Sequence, residues 1–293
     1  MTLCVAVRVR PFLNGEKKEE SSRIVHLTDK TKVQLNDPKN QRRPSGEHQN
    51  SREFIFDLCF EEQATQDEVF ENIGMRVLKS ITDHGQNAAV IAYGQTGTGK
   101  THTMLGNREQ QGLIPRICEF ILNLQETPGA YSISFYEIYN ERVYDLLVEE
   151  PKADRTAAQL KVREHPKLGP YVQGLTAHPL KTVDDVSMVL ALGCRARSTG
   201  PTATHRASSR SHAVFVLQGT RPCCDPTVPN GLGPRLSLVD LAGSERPHKR
   251  TTKEQIKESA HINRSLATLG NALEIDSEIR LSHRNSFLTE IPF

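Results

Sequence analysis

The sequence predicts an α/β fold in which a mixed, mostly parallel sheet lies between two layers of helices. Three observations carry that expectation. Short β-type runs alternate with helical patterns along the 293 residues, and such alternation suits a sheet covered on both faces. A glycine-rich segment, 94–101, stands between the run most like a buried strand and a helical stretch. The chain is 37% hydrophobic and 25% charged, which fits a globular domain with a real core and excludes a disordered polyelectrolyte.

The elements follow in order. Leu3 to Val9 is short, apolar and rich in valine, and Ala88 to Tyr93 reads as a buried strand. Tyr131 to Tyr139 alternates through Ile133, Phe135 and Tyr139, and His212 to Leu217 and Leu236 to Leu241 are again strand-like. Helical periodicity runs over Thr65 to Ile81, Ile114 to Leu124 and Val183 to Leu192. Ile262, Leu266, Leu269 and Leu273 fall on one face of a last helix. Asn36 to Arg52 and Pro222 to Pro234 are polar and rich in proline or glycine, so both are expected to be loops free of regular structure. There is no internal repeat and no heptad run, and residues 1–293 are expected to form a single domain.

Composition narrows the class further. The longest apolar run is far too short for a membrane span, and Arg8 and Arg10 interrupt the apolar start, unlike a signal peptide. Six cysteines without a CxxC pair imply a reduced, cytosolic protein with no structural zinc. The net charge of +2 hides an asymmetry: residues 1–150 carry a net of −5 and residues 151–293 a net of +7. A basic second half suits a polyanionic partner, which at this stage is nucleic acid, an acidic membrane or an acidic protein surface. A surface merely solvated by its own lysines and arginines explains the charge equally well.

Gly94, Gln95, Thr96, Gly97, Thr98, Gly99, Lys100 and Thr101 fit the pattern GxxxxGK[ST]. The flanking strand and helix are the context that a phosphate-binding P-loop needs. Glycines let successive backbone N–H groups converge on phosphates, and the next helix adds its N-terminal dipole. Lys100 supplies a cation to the β- and γ-phosphates, and the Thr101 hydroxyl suits Mg²⁺. The metal's acidic partner is expected at the end of a neighbouring apolar strand, where Asp240 precedes Leu241, Ala242 and Gly243. Gly243 is suited to sensing the γ-phosphate through its N–H. No [NT]KxD sequence follows, so ATP is favoured over GTP.

Three segments together resemble the kinesin motor domain: the P-loop with His102, Thr103 and Met104; Ser208-Ser209-Arg210-Ser211-His212; and Asp240-Leu241-Ala242-Gly243-Ser244-Glu245-Arg246. They correspond to the family's P-loop, switch I and switch II. Likeness extends from Val5 to Ser286 through Gly112 to Arg116, Glu137 to Glu141 and Ile262 to Leu266. Val162 to Pro166 and Gly169 to Val172 are most similar to the kinesin-three group of N-terminal-motor transport kinesins. The resemblance implies a three-layer α/β/α P-loop NTPase fold and a microtubule-stimulated ATPase of the cytoplasmic cytoskeleton, using ATP and Mg²⁺.

By position, the resemblance sets Arg8, Arg10 and Pro11 at the adenine, with His102 stacking near it. Ser208 and Ser209 would lie at the γ-phosphate, one positioning water and the other reaching Mg²⁺. Arg210 and Glu245 would form the bridge that closes the switches, and Asp240 would hold the metal through water. The acidic microtubule would face Lys249, Arg250, Lys253, Lys257, Arg264 and Arg284. Nucleic acid lacks a recognisable motif here, and no membrane insertion is expected.

The chain departs from the family pattern at His205, where the family has Asn, and at Phe287 and Glu290. It stops at Phe293, before the family's last strand, last helix and neck linker. The expectation is a C-terminally incomplete motor core, less stable, prone to aggregate and unable to move directionally. The alternative is a non-motile microtubule-binding or regulatory module that keeps its nucleotide pocket. A P-loop nucleotide kinase would need an acceptor site that the sequence does not offer.

Overall fold

The computed structural model describes residues 3–13, 16, 23–36, 51–124, 129–148, 159–166, 169–198, 209–221, 231–245 and 253–275. The chain divides into two compact units, Met1–Val69 and Phe70–Phe293. In the first, β1 (Ala6–Arg8) pairs in parallel with β5 (Leu58–Phe60), and β2 (Val25–Asp29), β3 (Lys32–Asn36) and β4 (Ser51–Ile55) form an antiparallel sheet. The loop expected over 36–52 is therefore regular at both margins; residues 37–50 lie outside the described residues. The Asp29 carboxylate caps the β2–β3 turn by accepting from the Thr31 N–H at 2.6 Å and hydroxyl at 2.7 Å. The unit ends with α1 (Gln66–Val69).

The second unit opens on a π-helical turn, Phe70–Gly74, followed by α2 (Met75–Thr82). Its main sheet has the order β10-β9-β8-β7-β12-β13-β6. These strands are β6 (Ala88–Ala92), β7 (Tyr131–Tyr139), β8 (Arg142–Asp145), β9 (Gln159–His165), β10 (Gly169–Gln173), β12 (His212–Arg221) and β13 (Gly231–Asp240); β11 (His178–Pro179) also pairs with β7. The helices are α3 (Lys100–Met104), α4 (Leu113–Leu124), α5 (Val183–Ser198) and α6 (Lys253–Ile275).

The α/β class stands and the sheet is mixed, but parallel pairing is scarcer than expected. Among the described strands of this sheet only β13 and β6 pair in parallel. Hairpin connections account for this: β7 and β8 are joined by two residues, Asn140 and Glu141, both at positive φ (50° and 59°), the geometry that twisted two-residue hairpins demand.

The 222–234 stretch also needs correction, because β13 begins at Gly231 and includes Pro234. The β12–β13 register shifts between Gln218 and Thr220, so Pro234 sits at a bulge, a position where a strand tolerates a missing N–H. Residues 222–230 are outside the described set.

Strand alternation splits the core into two layers. Tyr136, Ile138, Val214, Val216, Val239 and Leu241 face Leu266 and Leu269 of α6. Phe135 and Phe215 pair across β7 and β12 toward the other layer, their rings edge-on at 5.7 Å. There α5 approaches so closely that a Cβ on Gly193 would stand 2.1 Å from a Phe135 ring carbon. Gly193→Ala is therefore expected to cost about 1–3 kcal/mol through overpacking, read as a lower urea midpoint at unchanged slope. A midpoint equal to the parent's would mean that the α5–β7 contact relaxes freely.

Candidate nucleotide-binding site

The site starts at the end of β6. The chain turns through Gly97 (φ 84°) and Gly99 (φ 95°), left-handed conformations that glycine adopts without strain. Lys100, the first residue of α3, folds back so that its Nζ donates to the carbonyls of Gly94 at 2.8 Å and Gln95 at 2.9 Å. Thr98 closes the same turn by donating its hydroxyl to Gln95 O at 2.8 Å. Burial lowers the Lys100 pKa, while Asp240 and Glu245 pull it the other way. The expected strand–loop–helix context is present, although α3 has only five residues, so its dipole is weaker than that of a full helix.

Parallel register brings the second half of the site alongside. Asp240 at the end of β13 is opposite Ala92 of β6, and the carboxyl ends of adjacent parallel strands are where ligands gather in open α/β sheets. The Thr101 hydroxyl donates to Asp240 Oδ2 at 2.6 Å. The buried Arg197 guanidinium, from the last turn of α5, lies 3.7 Å from the same oxygen. Among the described residues Asp240 Oδ1 is buried without a hydrogen-bond partner, an atom whose desolvation calls for a ligand. A hydroxyl and a carboxylate in contact, with one carboxylate oxygen unengaged, form an oxygen donor set that fits Mg²⁺.

Backbone bonds tie the remaining loops to this pair. Gly243 N–H donates to Ser209 O at 2.8 Å, and Ser244 N–H to Gly94 O at 3.3 Å. Glu245 accepts from the Thr96 N–H at 2.9 Å and from its hydroxyl. Burial raises the Glu245 pKa, but the Thr96 bonds and the Lys100 charge outweigh it and hold the carboxyl below its ordinary value. Arg210 pairs instead with Glu258 of α6. The expected Arg210–Glu245 bridge is thus not formed in this structure, because each partner is engaged locally by a group that the sequence alone does not bring near it.

His212 joins the two systems. Ala242 N–H donates to its Nδ1 at 3.0 Å, and its Nε2 lies 3.0 Å from Ser265 Oγ. Burial, with the Arg197 and Lys100 charges, pushes the His212 pKa down to about 4, so the ring is neutral at pH 7.

Other expected site residues are distributed as follows. Arg8 donates to Gln66 Oε1 at 2.8 Å and Ala64 O at 3.2 Å. Arg10 holds Glu16 through two bonds of 2.7 Å and also donates to Pro11 O. Both arginines are thereby fixed within the first unit. His102 is half-buried on α3, and Lys257 and Arg264 are exposed on α6. Ser208, His205, Lys249, Arg250 and Arg284 lie outside the described residues, and Lys253 is described only as the start of α6.

Arg197, Glu258 and Ser265 were not singled out from the sequence. Arg197 carried a signal: the buried residues of α5 are Val186, Val189, Gly193 and Arg197, so an arginine ends a core stripe and requires a buried partner.

The kinesin motor domain family model matches residues 8–291. The chain belongs to the kinesin motor domain family. It is 42% identical over 283 residues to StAR-related lipid transfer protein 9 of Homo sapiens, covering 91% of this chain and 6% of that protein. It is 39% identical to Kinesin-like protein Klp98A of Drosophila melanogaster, covering 94% of this chain and 22% of the relative. This kinesin motor chain therefore spans less than a quarter of the length of either relative. The solved structure of KIF14 with ADP in complex with a microtubule is similar at a TM-score of 0.81 and 35% identity, over 99% of this chain and 84% of that one. The likeness to the kinesin-three group stands with these relatives, and nucleotide binding comes with membership of the family.

Proposed function

We propose that residues 1–293 work as one motor domain that hydrolyses ATP and is stimulated by microtubules, on the cytoskeleton of the cytoplasm. The observation that carries this is the bond between Thr101 and Asp240, with Gly243 bonded to Ser209 beside it. It brings P-loop, switch II and switch I into one hydrogen-bonded group, the arrangement phosphoryl transfer needs.

Lys100 and the loop N–H groups of 95–101 bind the phosphates, while His102 borders the adenine. Thr101, Ser209 and, through water, Asp240 would hold Mg²⁺, which when bound neutralises phosphate charge. With Ser209 at the metal, Ser208 orients the attacking water, and Gly243 N–H senses the γ-phosphate. For Arg210 and Glu245 to pair, Arg210 must exchange Glu258 for Glu245 and Thr96 must be released, a two-state exchange of partners. Glu245→Ala is expected to spare ATP binding and slow single-turnover cleavage about a hundredfold or more. Cleavage at the parental rate would remove the bridge from the mechanism.

Lys249, Arg250, Lys253, Lys257, Arg264 and Arg284 meet the acidic filament. Replacing Lys249, Arg250 and Lys253 by Ala is expected to weaken microtubule binding about tenfold and flatten its salt dependence, since exposed pairs contribute modestly and are screened. Co-sedimentation across a salt series checks this; a parental slope moves the contact surface elsewhere. The function as a whole is tested by phosphate release with and without microtubules. No stimulation in the parent chain, with nucleotide bound, would sink the motor assignment.

A further inference from the structure

We propose that His212 is a positioning residue that couples the γ-phosphate-sensing loop to α6 through Ser265. This rests on the motor function proposed above and names the link within it.

The chain of bonds is continuous. Gly243 is held to Ser209 O, and its neighbour Ala242 donates to His212 Nδ1. Because Nδ1 accepts from a backbone N–H, the neutral ring carries its proton on Nε2 and donates to Ser265 Oγ. Ser265 Oγ in turn donates to Ile262 O at 2.8 Å, within α6. His212 and Ser265 are 3% and 4% exposed, so water does not substitute for either bond. A fully satisfied buried polar network of this kind fixes one arrangement of its elements.

Two further facts give the link a direction. Glu258 and Ser265, seven residues apart, take Arg210 and His212 respectively. The inner face of α6 is thus fastened twice, to Arg210 of switch I and to His212, the first residue of β12. Lys257 and Arg264 occupy the adjoining register positions and are exposed, so the helix carries cations outward on the turns that it anchors inward. A displacement of Ala242 and Gly243 by a γ-phosphate therefore pulls on the helix turn that bears Arg264.

The test is hydrogen exchange of the α6 peptides covering 259–269 in the full chain, with Mg·ADP and with Mg·AMP-PNP. In the parent the exchange rates with the two nucleotides are expected to differ about five- to tenfold, within the usual span of coupling between sites. Ser265→Ala and His212→Asn should abolish the difference, and Ser265→Thr, which keeps the hydroxyl, should retain it. A merely structural role would raise exchange equally with both nucleotides and leave the difference intact. The inference is overturned by a parental difference in Ser265→Ala, by no difference in the parent, or by imidazole ¹⁵N shifts showing His212 doubly protonated at pH 7. Microtubule-stimulated turnover is read in parallel. A parent that lacks it but keeps the exchange difference would overturn the motor function and support this link.

Discussion

Lys100→Ala is expected to lower ATP affinity about a hundredfold or more and to remove turnover, the cost of stripping a half-buried, hydrogen-bonded charge from its partner. Nζ is held within the loop by the Gly94 and Gln95 carbonyls, so the cation is already organised before phosphate arrives. Burial disfavours its charge, and the Asp240 and Glu245 carboxylates support it. Alanine removes the cation and leaves those carboxylates facing the incoming phosphates, adding repulsion to the lost attraction. A fluorescent nucleotide titration measures the affinity. Parental affinity and turnover together would take this loop out of the mechanism.

Gly243→Ala is expected to be nearly as damaging. A Cβ there would lie 2.2 Å from Glu245 Oε2 and 2.3 Å from Thr96 Oγ1, so neither group can stay in position. The methyl would break the Glu245–Thr96 bonds and push the Gly243 N–H away from Ser209. Hydrolysis should fall about a hundredfold or more, since loss of one preorganised donor is commonly worth that much. Nucleotide affinity should fall far less, because Lys100 and the loop N–H groups stay in place. Phosphate-release rates beside the titration separate the two effects. A variant that hydrolyses normally would show that Glu245 and Thr96 yield without consequence.

What could be read in the sequence was what is local. The P-loop is eight contiguous residues whose φ requirements are written as glycines, and β7 was bounded correctly because its alternation spans nine residues. Asp240 was legible because a hydrophobic strand leads directly into it. Pairing across distance was not. Arg210 meets a glutamate 48 residues away, and nothing in either neighbourhood selects Glu258 over Glu245. The role of His212 is not written in its motif, since its two partners come from the end of a different strand and from a helix. Pro234 concealed the start of β13 because a proline argues against a strand until the bulge opposite is known. The parallel character was overstated for a similar reason: alternating strands and helices suggest crossovers, whereas β7–β8 and β12–β13 return directly as hairpins.

The bulge between Gln218 and Thr220 also divides the β12–β13 hairpin into two lengths with different freedom. On the site side, pairing from Ala213↔Asp240 to Gln218↔Arg235 is unbroken, and a slip of one residue there would turn Asp240 toward α6 and Leu241 toward α5. On the far side only Thr220↔Leu232 and Arg221↔Gly231 remain before the connection. Changes in the length of that connection are expected to be absorbed at the bulge, ahead of the ladder that carries Asp240. Insertions, tags and grafted segments therefore belong between Arg221 and Gly231, while the ladder from 213 to 218 admits none.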